Sequence, residues 1–167
     1  MIYFLTTLTA NTLYKGSADL ELLIVSLKLS TFVIVIALMY RPPNVSDIIF
    51  DELFSVLCNY VNVSLFNCFV LIGDFNVSNA SSQKLSVTNS FSLTQVVTEP
   101  TRISNSSTLV DLIFLSSPSQ LSSCVTIPPL ANSDHLGLQL SLSTTGSFRR
   151  AHSKTERKLW KYNQADC

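Results

Sequence analysis

Residues 70–78 read VLIGDFNVS, and the place where this run changes character decides the fold. Val70, Leu71 and Ile72 belong to an apolar segment, 67–73, that suits a short strand buried on both faces. Gly73 follows, and then Asp74 and Asn76 flank Phe75 where the strand should stop. In extended backbone residues two apart face the same way, so the carboxylate and the amide point together while Phe75 turns to the core. Such a pair either closes the strand as an Asx turn or holds a hard cation or a phosphate-bound water. The stretch by itself leaves both readings open.

Upstream, Leu22–Met39 reads LLIVSLKLSTFVIVIALM, which is nearly long enough to cross a bilayer. Lys28 stands near its middle beside Ser26, Ser30 and Thr31. A lysine at a bilayer centre costs roughly 2.5–3.5 kcal/mol, and the Val, Ile and Thr content favours strands. The run therefore reads as two buried strands, 20–29 and 31–40, joined by a tight turn, with a membrane anchor over 22–39 as the alternative. Pro42 and Pro43 then force extended backbone. Asn44 or Ser46 offers a helix N-cap, and Asp47, Asp51 and Glu52 stand where the helix dipole favours acids. Ile49, Leu53, Val56, Leu57 and Tyr60 recur at helical spacing, which predicts an amphipathic helix over 46–61. Strand, helix, strand makes a βαβ-like unit whose second strand could pair in either direction.

Downstream, 77–92 is rich in Ser and Asn and reads as a loop with one helical turn. Residues 93–98 alternate like a short strand, and 108–115, TLVDLIFL, reads as a buried strand carrying Asp111 in its middle. Polar loop or short helix follows over 116–123, then strands at 124–127 and 136–142. From Ser143 onward the chain is polar, and Arg149, Arg150, Lys154, Arg157, Lys158 and Lys161 make its end basic.

Hydrophobic residues make up 47% of the 167 and charged residues 13%, about half the usual ~25%, so Ser, Thr and Asn supply the polar surface. Eleven basic residues balance eleven acidic ones, so net charge points to no nucleic-acid partner. Cys58, Cys68, Cys124 and Cys167 form no CxxC pair or Cys/His cluster, which argues against a zinc site; they read as reduced thiols, with Cys58 and Cys68 in or near the core. No basic region precedes the apolar N-terminal residues, so the start does not read as a signal peptide.

Four polar sites end or interrupt apolar segments: Tyr40, Asp74 with Asn76, Asp111, and Ser133-Asp134-His135. Each has an ordinary reading. Tyr40 fits a core, Asp74–Asn76 and Ser133–His135 fit polar turns, and Asp111 fits a structural ion pair, for instance with Arg102, because a buried carboxylate needs a partner. Together they also offer a cation-binding carboxylate and a histidine suited to proton transfer near neutral pH. His152, the other histidine, lies in the basic tail.

The ordered series YRPPN (40–44), LIGDFN (71–76), TEPTR (98–102), STLVDLIF (107–114) and NSDHLGL (132–138) resembles the C-terminal half of the endonuclease/exonuclease/phosphatase family. LTQVV, PTR and the closing WKYNQAD (160–166) are similar to the jockey-like endonuclease domains of non-LTR retrotransposons. The resemblance covers 19–167 and implies a partial α/β sandwich of the deoxyribonuclease kind, its N-terminal sheet largely missing. It divides the chain into an N-terminal segment of unclear structure (1–18), the partial domain (19–143) and a tail leading toward a reverse transcriptase (144–167). It also implies DNA as partner, with no stable protein partner inferable and a membrane partner disfavoured, an intracellular setting that is nuclear if the chain is functional, and phosphodiester hydrolysis with Mg²⁺ or Mn²⁺. By the resemblance His135 is the general base oriented by Asp111, and Asp134 binds the metal. Asp74 and Asn76 hold water, phosphate and in part the metal, and Tyr40 donates to the phosphate. The family's metal-binding Glu, in an ETWL-like motif, does not precede Tyr40 here; Glu21 matches another family position. The expectation is a truncated, impaired nuclease, or a decayed retroelement fragment without function.

Overall fold

The computed structural model describes residues 8–16, 20–29, 32–62, 65–77, 86–104 and 106–144. The basic tail therefore lies outside the described residues. The two apolar runs upstream of the prolines are strands β2 (Glu21–Leu29) and β3 (Phe32–Tyr40), paired antiparallel from Glu21↔Tyr40 to Leu29↔Phe32. Lys28, awkward for a membrane span, is simply exposed on β2. Among the described residues no helix is long and apolar enough to cross a membrane.

Helix α1 (Ile49–Tyr60) carries the chain back so that β4 (Cys68–Asp74) runs parallel to β3, which settles the pairing direction. Its start lies later than Asn44 or Ser46 predicts: Ile48 stands at the N-cap without a side-chain bond, and Ser46 Oγ only accepts the Ile48 N–H at 3.4 Å. The loop before it is occupied otherwise. Arg41, buried, donates to the carbonyls of Val45, Phe75 and Asn76 and to Asp47 Oδ1, with its guanidinium 5.4 Å from the Phe50 ring centroid.

The helical turn α2 (Ser86–Ser90) and the short β5 (Thr94–Gln95) lead to a small ladder of β6 (Arg102–Ile103) and β7 (Ser107–Thr108). Strand β8 (Asp111–Leu115) follows, and Asp111 opens it rather than sitting in its middle. Leu109 and Val110 are apolar but outside the ladder, so the strand begins two residues later than its hydrophobicity suggests. A 3₁₀ turn (Pro118–Gln120) precedes the hairpin of β9 (Leu121–Ile127) and β10 (Gly137–Leu142). The N-terminal segment also contributes β1 (Thr9–Lys15), an antiparallel edge strand whose exposed, polar residues hide it from hydrophobic patterning.

The main sheet has the order β1-β2-β3-β4-β8-β5. Strand alternation sorts its side chains into two faces. Leu22, Ile24, Val35, Ala37, Leu71 and Phe114 face α1, meeting Phe50, Leu53 and Leu57. Leu27, Ile34, Cys68, Val70, Ile113 and Leu115 face the other way, toward Leu121, Leu138, Leu140 and Leu142 of the β9–β10 hairpin. This is the expected sandwich, and its second layer has only two strands among the described residues. Cys58, expected near the core, is exposed on α1; Cys68 is buried as expected. Gly73 leaves no room for a side chain: a Cβ there would lie 1.7 Å from the Met39 carbonyl oxygen.

Candidate active site

The register of four strands builds one row of polar side chains. Glu21 pairs with Tyr40, Tyr40 with Asp74, and Asp74 with Asp111, all on the face that carries the hairpin. The next row inward on that face is Leu23, Leu38, Ile72 and Ile113, so the polar groups stand at the end of an apolar surface. The row borders a groove of about 630 Å³ that Leu136 and Leu138 close on the hairpin side.

VLIGDFNVS turns out to be a turn and part of this row at once. Asn76 takes a left-handed conformation (φ 43°), its N–H donates to Asp74 Oδ1 at 3.0 Å, and Phe75 is fully buried. The Asn76 carboxamide donates through Nδ2 to the Arg41 carbonyl at 2.8 Å, while Arg41 Nη1 donates to the Asn76 carbonyl at 2.8 Å. Arg41 thus locks the YRPPN and GDFN segments together from behind. Burial pushes the Asp74 carboxyl above its ordinary value and the neighbouring Asp111 adds to this; the Asn76 N–H and His135 pull the other way.

Asp111 meets a partner other than the one its burial suggested. Its Oδ2 lies 2.8 Å from His135 Nδ1, whereas Arg102 Nε donates to Asp134 Oδ2 at 2.7 Å. The Arg102 guanidinium holds the Asp134 carboxyl below its ordinary value. The other oxygen of Asp134 lies 4.0 Å from His135 Nε2. His135 therefore stands between two carboxylates, bonded to one and near the other. One ligand atom each of Asp74, Asp111 and His135 falls within 4.8 Å of the others, a donor set of a size to hold a metal ion. Asp134 lies outside that set, and Tyr40, 42% exposed, stands beside Asp74 in the row.

Two residues of this arrangement stand outside the site residues expected from the sequence. Thr101 is fully buried, and its Oγ1 accepts the Asp111 N–H at 2.9 Å and the Val110 N–H at 3.3 Å. Its carbonyl accepts the Leu136 N–H, so one threonine holds the backbone on both sides of the Asp111–His135 pair. The PTR triplet marks its position without revealing this task. Glu21 completes the row opposite Tyr40, a placement that follows only once the β2–β3 register is known.

The profile of the family described as endonuclease-reverse transcriptase matches residues 34–139. No curated protein matches the chain by sequence. Among solved structures it is similar to the endonuclease domain of TRAS1, a telomere-specific non-LTR retrotransposon, at 12% identity and a TM-score of 0.64, over 83% of this chain and 80% of that one. It is similar to an endonuclease/exonuclease/phosphatase family protein from Leptotrichia buccalis at 13% identity and a TM-score of 0.59, over 85% of this chain and 63% of that one. It also resembles the inositol polyphosphate 5-phosphatase domain of SPsynaptojanin at 11% identity and a TM-score of 0.53, over 80% of this chain and 53% of that one. At such identities the likeness is one of fold, and the chain spans less than two thirds of the latter two. The match of the family profile to most of the chain decides the affiliation: this chain belongs to the endonuclease-reverse transcriptase family, with the endonuclease/exonuclease/phosphatase fold.

Proposed function

We propose that this chain is the endonuclease domain of a non-LTR retrotransposon and hydrolyses DNA phosphodiesters with a divalent cation, Mg²⁺ or Mn²⁺. The observation that carries the reading is the His135–Asp111 pair at 2.8 Å, set at the end of a row with Asp74 and Tyr40 beside an open groove. Asp111 accepts from Nδ1–H and so leaves Nε2 as the basic nitrogen, the arrangement a general base needs. His135 Nε2 takes the proton of the attacking water. The Tyr40 hydroxyl, which makes no bond to a described residue, donates to a phosphate oxygen. The bond from Asn76 Nδ2 to the Arg41 carbonyl fixes the carboxamide, and its oxygen is the atom it offers to a cation.

The donors fit a hard divalent cation, which is commonly held by one or two carboxylates with waters filling the rest. Asp74, which stands in the cluster with Asp111 and His135, would hold it; Asp134 would join by exchanging its Arg102 partner, and Asn76 would contribute its oxygen. When bound, the cation would offset the charge that grows on the phosphate oxygens. The reading extends to impaired turnover, supported by the commitment of Asp134 to Arg102 and by a donor cluster that, among the described residues, holds no carboxylate beyond Asp74 and Asp111.

The test is nicking of supercoiled plasmid by the folded chain with Mg²⁺ or Mn²⁺ and with chelator. Slow, cation-dependent nicking is expected, falling by about 10²–10⁴-fold in His135→Ala. Absence of nicking, or nicking indifferent to His135→Ala, would overturn the reading. Fast turnover would overturn the impairment alone.

A further inference from the structure

The loop that supplies His135 also carries residues that the proposed chemistry does not use. The connection between β9 and β10 runs through Pro128 and Pro129 to Leu130, which is 88% exposed. A single exposed leucine is ordinary. This one is held out at a fixed place: two prolines restrict the approach, Ala131 is left-handed (φ 54°), and the Ser133 N–H closes the turn on the Leu130 carbonyl at 3.2 Å. Four residues later the same loop supplies Asp134 and then His135.

Arg102 lies against this loop. Its backbone bridges to His135, and the Ile103 N–H donates to the Asp134 carbonyl at 2.8 Å. Only Nε of its guanidinium is engaged among the described residues, by Asp134, and the side chain is 42% exposed. Nη1 and Nη2 remain for a ligand, and a guanidinium with two free donors is suited to a phosphate. A cation for phosphates, bonded to the same loop that carries an exposed aliphatic tip, matches the two ways in which proteins hold and bend a duplex: backbone contact fixes position, and an apolar wedge opens a base step.

We propose that Arg102 and Leu130 form a duplex-DNA contact pair beside the candidate site. Arg102 holds a phosphate neighbouring the one to be cleaved, and Leu130 enters the minor groove and wedges a base step. The substrate class rests on the nuclease reading; the contact pair is tested apart from it. Binding is measured in chelator, where no hydrolysis is expected, with the full chain and a duplex carrying 2-aminopurine at successive positions.

The wild-type chain is expected to raise the 2-aminopurine signal at one or two positions. Leu130→Ser is expected to abolish that rise and weaken binding several-fold at an unchanged melting temperature, and Leu130→Phe to restore the rise. Arg102→Gln is expected to leave the position of the rise unchanged while lowering the slope of log affinity against log salt by about one. A rise and a slope untouched by both variants would overturn the proposal, as would no duplex binding at low salt. A rise that responds to the variants in a chain that never nicks DNA would support the contact pair and sink the nuclease reading alone.

Discussion

Asp74 Oδ1 accepts the Asn76 N–H while burial lifts the same carboxyl above its ordinary value, so the folded chain holds it at a cost. A carboxyl raised in the fold binds its proton more tightly there than in the unfolded chain. The stabilisation is therefore full below the ordinary carboxylate value and is lost as pH rises through the raised one. Asp74→Asn keeps the acceptor for Asn76 and removes the charge. It should melt higher than the wild type near pH 7 in chelator, and this advantage should vanish as the pH falls below the ordinary carboxylate range, as measured by calorimetry. A similar logic separates the thiols. Burial pushes Cys68 up to about 11, whereas Cys58 is exposed on α1. At pH 8 a thiol reagent should label Cys58 rapidly in the folded chain and reach Cys68 only with denaturant; labelling of both at one rate would contradict the packing of β4.

At the scale of elements, what holds the site together is hydrogen bonding between segments distant in sequence. Thr101 Oγ1 accepts two N–H groups where β8 begins, and Thr101 is fully buried. Thr101→Val would leave both donors buried without a partner, at a cost of about 1–3 kcal/mol. Thermal melts should show this loss, Thr101→Ser should recover most of it, and nicking should fall in Thr101→Val even at temperatures where the chain is folded. The strands were readable because β2, β3, β4 and the body of β8 are nearly continuous apolar runs, as strands covered on both faces must be. Strand β1 was not, because an edge strand with five successive exposed residues has no apolar face to read. Of the site, Asp111 and His135 stood out as polar residues against apolar neighbours. Their pairing, the diversion of Arg102 to Asp134 and the task of Thr101 depend on which loops meet, and no local spacing encodes that.

For the molecule as a whole, the two faces of the main sheet are covered unequally. One face packs against α1; the other meets the β9–β10 hairpin, and beside Leu138 the groove keeps Leu23, Leu38 and Ile72 as its apolar floor. These three are half-buried rather than buried, so polar substitution there should cost little. Contiguous exposed apolar surface of this kind binds dyes such as ANS and promotes association. The native chain should therefore enhance ANS fluorescence well below its melting temperature. The double variant Leu23→Lys/Leu38→Thr should remove most of that enhancement while shifting Tm by no more than about 4 °C, equivalent to about 1 kcal/mol in a chain of this size. A collapse of Tm instead would mean that the floor is core and that the second layer is complete with two strands. Retained ANS binding at an unchanged Tm would place the exposed surface elsewhere, with Val125 and Ile127 on β9 the next residues to replace.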